Sequence, residues 1–264
     1  DGGKNFNSSS AKLTIPAASQ SCYKIAYAAL YWAGTYSIAA DKGSASGADR
    51  SVINKVRFKA GTANYIDLTG KVIYDYIGSG APSIPQNVPA TAQSARNPYA
   101  CMIDVTNYVR SAGEVNYIVA NIASSEGGAG TSAGHSAGWS LFVVYEDPKL
   151  PGKYITSYNG FTRIRGGDPA FTFPINGFRT IPVGPVKTKL AFATLEGDNR
   201  DTSDYMSIVG STIAGSTAER LFTPTIRPDV PNFFNSTIND LDTHFLNRNP
   251  ASRNTLGFDT GVLS

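Results

Sequence analysis

Histidine, cysteine, tryptophan and methionine occur only twice each in this 264-residue chain. Two cysteines and two histidines in four separated places lack the ligand spacing of a zinc site. They are also far too few for a disulfide-dense scaffold. Charge is sparse as well. Charged residues make up 16% of the chain, against roughly 25% in ordinary soluble domains. The 23 basic and 20 acidic residues are scattered, and the net charge is only +3. No basic stripe of the kind a nucleic-acid partner requires is visible. No apolar run approaches the ~18 residues of a membrane-spanning helix. Helical periodicity is scarce too, because glycine or proline interrupts most windows in which apolar residues could recur at three-and-four spacing.

What the chain does have is turn formers and aromatics: 26 Gly, 15 Pro, 14 Tyr and 13 Phe. Glycine and proline punctuate short strands, and aromatic side chains pack well on pleated surfaces. Residues 24–32 (KIAYAALYW) read as a strand hydrophobic on both faces, and residues 52–58 alternate. Residues 65–68 and 72–76 look like a hairpin around Thr69-Gly70. Residues 101–109, 115–122 and 139–145 read as three further strands, with a Gly/Ser/Ala-rich link between the last two. Beyond Asp147-Pro148, strand signals recur at 154–158, 161–164, 171–175, 186–194, 205–209, 233–238 and 255–258. The pattern predicts an all-β sandwich or jelly roll with very little helix. It forms one large domain over residues 1–264 or two packed subdomains, 1–147 and 148–264.

Cys22 and Cys101 each lie in a segment that reads as a strand, residues 21–33 and 99–109. A bridge between them and a pair of free thiols are both open at this point. A bridge would close a long loop, worth about 4–5 kcal/mol on the chain-entropy model.

Two motifs carry chemistry. Gly134-His135-Ser136-Ala137-Gly138 matches the G-x-S-x-G elbow in which a serine nucleophile sits on a strained strand-to-helix turn. The context is reversed here, because a small-residue stretch precedes it and the strand-like WSLFVVY follows. His244 is the one histidine downstream to act as base. A serine esterase using Ser136 is therefore the distant alternative, and no catalytic residue is assigned. The second motif runs from Glu196 to Asp204 and packs four carboxylates and an amide into nine residues. Calcium takes six to eight oxygen ligands, so Glu196, Asp198, Asp201 and Asp204 are its candidate ligands. The competing reading is an acidic turn capped by its own side chains. Tyr31, Trp32, Tyr36 and Tyr74 are candidates for an aromatic sugar-binding platform, with core packing as the alternative.

The segments AALYWAG (28–34), IDVTNYV (103–109), GWSLFVVYEDP (138–148), LEGD (195–198), FNSTI (234–238) and NTLGFD (254–259) occur in this order. Together they resemble the N-terminal head regions of large secreted repeat adhesins of the Bacteroidetes, including those linked to gliding motility. The resemblance implies export, an extracellular place at the bacterial cell surface, and a non-enzymatic adhesive or structural role. The partner expected is a surface polymer, a glycan or another copy of the chain. A calcium-dependent carbohydrate-binding module is the alternative.

Overall fold

The computed structural model describes residues 7–16, 22–36, 49–76, 97–125, 135–162, 169–177, 179, 189–195, 197, 204–211, 217–221 and 232–263. In chain order the strands are β1 (Ser8–Lys12), β2 (Lys24–Thr35), β3 (Lys55–Ala60), β4 (Ile66–Thr69), β5 (Lys71–Asp75), β6 (Pro98–Asp104), β7 (Asn116–Ala120) and β8 (Ala137–Glu146). They continue as β9 (Leu190–Leu195), β10 (Ser207–Ser211), β11 (Thr217–Leu221), β12 (Ile238–Asp240), β13 (Thr243–His244), β14 (Arg248–Asn249) and β15 (Phe258–Leu263). A single α-helix, α1 (Thr106–Ala112), stands among the described residues. The protein is all-β, as expected.

The chain divides into two compact units. The first is Asp1–Gly184 with Asn247–Pro250, and the second is Pro185–Leu246 with Ala251–Ser264. In the first unit, one sheet has the order β14-β1-β7-β3-β4 and the other β5-β6-β2-β8. Their inner faces share one core: Phe58, Tyr117 and Val119 come from the first sheet, and Leu30, Trp32 and Cys101 from the second. This face-to-face arrangement is a β-sandwich.

β2 lies between β6 and β8, and its alternate residues Ala28, Leu30 and Trp32 face the core. Its Ala28, Ala29 and Leu30 are completely buried. β3 shows the alternation of a strand with one wet face: Val56, Phe58 and Ala60 point inward, while Lys55, Arg57 and Lys59 do not. In the second unit, β13-β12-β15-β9 form a four-stranded sheet and β10 pairs with β11.

Four local expectations are corrected. The strand expected over 101–109 ends at Asp104, where the chain turns into α1. Thr106 N donates to Asp104 Oδ1 at 2.8 Å, an Asx-type turn just ahead of the helix, whose N-cap position is Val105. Val105, Val109 and Ala112 then reach the core at helical spacing. The β-branched residues of this stretch hid that spacing.

The hairpin expected around Thr69-Gly70 is a sheet switch. β4 pairs with β3 and β5 pairs with β6, so the chain leaves one sheet and enters the other at Gly70. A Cβ on Gly70 would lie 2.3 Å from Trp32 Cη2 and 2.8 Å from the Met102 carbonyl oxygen. Only a hydrogen fits there.

Residues 154–158, 161–162 and 171–175 are not strands despite their pattern, and 163–164 lie outside the described residues. In the second unit, residues 233–237 and 255–257 are turns leading into β12 and β15, with Ser236, Leu256 and Gly257 at positive φ.

No disulfide forms between them: Cys22 is exposed and Cys101 is buried. Cys101 pairs with Trp32 across β2 and β6, ten residues along the extended chain from Cys22. At ~3.3 Å per residue that is about 30 Å, whereas a bridge needs Cα atoms within ~7 Å. Burial pushes the Cys101 thiol up to about 12, with the nearby Asp75 charge adding to the shift. A thiol reagent at neutral pH is therefore expected to titrate one cysteine in the native protein and two after unfolding. Because the folded value lies above the ordinary 9.0, burial of the neutral thiol adds to stability below pH 9. That contribution fades as pH rises from 9 towards 12. Two fast-reacting thiols in the native protein would contradict the placement of Cys101.

Candidate functional site

Of the proposed calcium ligands, Glu196, Asp198 and Asp201 lie outside the described residues, and Asp204 alone is described. One oxygen of Asp204 accepts from the backbone N–H groups of Phe233 and Phe234. This carboxylate thus serves the turn before β12. Among the described residues, no group of three or more His, Cys, Asp and Glu side chains is arranged to hold a metal.

The elbow motif sits at the entry to β8, and Gly134 lies outside the described residues. Ser136 is buried; its N–H donates to Thr35 Oγ1 at 3.1 Å and its carbonyl accepts from Thr35 N at 2.9 Å. A strand follows it, as the sequence indicated. His135 Nδ1 lies 3.4 Å from Thr35 Oγ1. His244 belongs to the second unit.

Of the four aromatic candidates, Trp32 and Tyr74 are core residues, and Tyr31 and Tyr36 are half-buried. Trp32 Nε1 donates to the Ile53 carbonyl at 2.9 Å. Tyr74 stacks on Phe161 with centroids 4.3 Å apart.

Sequence reasoning missed three features. The first is a half-buried basic lock. Arg50 pairs with Asp75, donates to the Tyr36 and Asn97 carbonyls at 2.6 and 3.0 Å, and lies 5.5 Å from the Tyr99 ring centroid. It ties β5 and the start of β6 to the turn before β3. No motif flags a lone arginine of this kind.

The second is a convergence of three of the ordered segments on Asp259, which is completely buried. Its oxygens accept from Ser236 N at 2.7 Å and Thr237 N at 3.0 Å. Ser236 Oγ donates to the Gly197 carbonyl at 2.6 Å and accepts from Gly257 N at 2.9 Å. A Cβ on Gly197 would lie 1.8 Å from Asp259 Oδ2. Gly197, Ser236, Thr237, Gly257 and Asp259 are therefore one structural knot.

The third is a groove of about 580 Å3 on the first unit, where β6 bends into α1. Its apolar wall includes Ile66 and Leu68 of β4, and the Tyr27 and Tyr108 rings line it. Asp104, Asn107 and Arg110 supply its polar side, and all three are exposed. Spaced three apart, they stand along one side of the first helical turns. The hydrogen bond from Thr106 holds the Asp104 carboxyl below its ordinary value. Arg110 donates to the Ile25 carbonyl at 3.0 Å, to the Ala26 carbonyl at 3.4 Å and to Asn107 Oδ1 at 3.3 Å. Burial raises the Tyr27 hydroxyl, and the neighbouring Tyr31 and Asp104 add to the shift.

Residues 150–162 and 169–177 make a second exposed feature. Tyr154 is 69% exposed and Ile155 56%, while Phe171 and Phe173 are 52% and 48% exposed. Tyr158 Oη bonds the backbone of Asn176, which joins the two arms of the stretch. Asn159 accepts from the Tyr31 hydroxyl and anchors the stretch to β2. The chain matches no family model, no curated protein and no solved structure.

Proposed function

We propose that this chain is a non-enzymatic extracellular module of a bacterial cell surface, working in adhesion or as a structural unit. Its partner is a surface polymer, a glycan or another copy of itself. The observation that carries the reading is the set of exposed large apolar side chains in residues 150–162 and 169–177, on a unit whose sandwich core is well packed. Soluble monomers seldom expose such side chains together unless the patch contacts something. The strand-like alternation of residues 154–158 and 171–175, outside any sheet, also suits pairing with a further strand.

The test is a combined Tyr154→Ser, Ile155→Ser, Phe171→Ser, Phe173→Ser variant. It is compared with the parent by light scattering and by retention on immobilised bacterial cell-wall polymer. Because these positions are exposed, the melting temperature should hold within about 2 °C. Retention or self-association should fall at least about tenfold, as expected when anchor residues are removed. Unchanged retention and unchanged assembly would overturn the reading. The groove beside α1 favours a second, carbohydrate-binding reading.

A further inference from the structure

Three planar polar groups in the groove are held in fixed orientations by the protein itself. Thr106 N holds one oxygen of Asp104, and a carboxylate has about four acceptor positions. The Asn107 carbonyl oxygen faces Arg110, which turns its amide donors outward. Arg110 spends three N–H bonds on Ile25, Ala26 and Asn107, and a guanidinium has five. The groove thus offers an acceptor flanked by two kinds of donor, spaced along one helical side. Tyr27 and Leu68 line the same groove.

Charge narrows the ligand class. The carboxylate and the guanidinium offset each other, so neither an anion nor a cation is favoured overall. Vicinal hydroxyls match the array, because each can donate to Asp104 while accepting from Asn107 or Arg110. A sugar ring also has an apolar C–H face that suits an aromatic wall. The volume of about 580 Å3 lies within the ~300–1,000 Å3 of small-molecule sites, which leaves room for one or two rings.

We propose that the groove between β4 and the β6–α1 corner binds a neutral carbohydrate through vicinal hydroxyls, with Asp104 accepting, Asn107 and Arg110 donating, and Tyr27 packing against the ring. This deepens the extracellular-binding reading above by naming a ligand class and its site, and for its biological setting it rests on that reading. Asp104, Asn107 and Arg110 are binding residues.

The test titrates the full chain with methyl glycosides of glucose, galactose and mannose and with cellobiose and lactose, followed by saturation-transfer NMR and calorimetry. Saturable binding by at least one probe is expected, with a Kd of about 0.1–5 mM. Asn107→Ala should weaken it about tenfold or more at an unchanged melting temperature. Asp104→Asn retains an acceptor for Thr106 N and should also weaken binding, which separates ligand contact from the turn ahead of the helix. No saturation by any probe at about 50 mM, or binding indifferent to Asn107→Ala, would overturn the proposal. If sugar binding is absent while retention still depends on residues 154–173, the groove assignment falls and the adhesion reading stands. If sugar binding depends on Asn107 but the four-serine variant is retained normally, the adhesive-stretch reading falls and the groove stands.

Discussion

Trp32→Ala is expected to destabilise the first unit by about 3–5 kcal/mol, the range for a large aromatic removed from a closed core. Trp32 is 1% exposed and lies among residues drawn from both sheets of the sandwich. Its indole N–H also supplies a hydrogen bond to the Ile53 carbonyl at 2.9 Å, where Cys101 Sγ is a more distant donor at 3.5 Å. The Ile53 carbonyl therefore loses its shorter partner as well as its packing. Trp32→Phe keeps most of the ring volume and forfeits chiefly that bond, so about 1–2 kcal/mol is expected. Urea denaturation measures both, as a lower midpoint at constant slope. Gly70→Ala probes the same contact from the other side, because its methyl group would meet Trp32 Cη2 and the Met102 carbonyl. A loss below about 1 kcal/mol for Trp32→Ala would mean that the two sheets do not depend on this core.

In the second unit, Asp259→Ala is expected to cost about 3–5 kcal/mol. The substitution removes two charge-assisted hydrogen bonds, each worth about 1.5–3 kcal/mol. It also leaves the Ser236 and Thr237 N–H groups without their carboxylate acceptor in a buried place. Asp259→Asn keeps one acceptor and should lose roughly half as much. Because Asp259 is completely buried, raising the salt should change these differences little. Hydrogen exchange locates the effect: the Ser236 and Thr237 amides should lose protection first, followed by those of β12 and β15. Unchanged protection at both amides would show that the carboxylate is not what holds this turn. Gly197→Ala tests the knot independently, since the added methyl group would overlap the Asp259 carboxylate.

Strands buried on both faces or alternating cleanly were the most legible parts of the chain. β2, β7 and β8 fall where the residue pattern puts them, because burial demands apolar side chains at fixed spacing. The β6–α1 corner was not legible, since Val105, Thr106 and Val109 suit a strand as well as a helix. The Asp104 side chain closes a turn just ahead of α1, and Val105 and Val109 enter the core at helical spacing. The groove was even less visible. Tyr27 on β2, Leu68 on β4 and Asn107 on α1 come from three separate stretches, and no spacing links them.

By itself, the sequence determined the fold class, the low charge and the central apolar strands, because composition and periodicity act on each segment locally. Which strands share a sheet was decided only in three dimensions. Gly70 sends β4 and β5 into different sheets by lying against Trp32, 38 residues earlier in the chain. The fates of Cys22 and Cys101 were settled the same way, by the register of β2 against β6. Asp259 found its partners through the packing of Gly197, Ser236 and Gly257 around it. Such contacts join residues whose sequence separation is large and whose types are ordinary, so nothing local announces them. Only the closing of the core selects them.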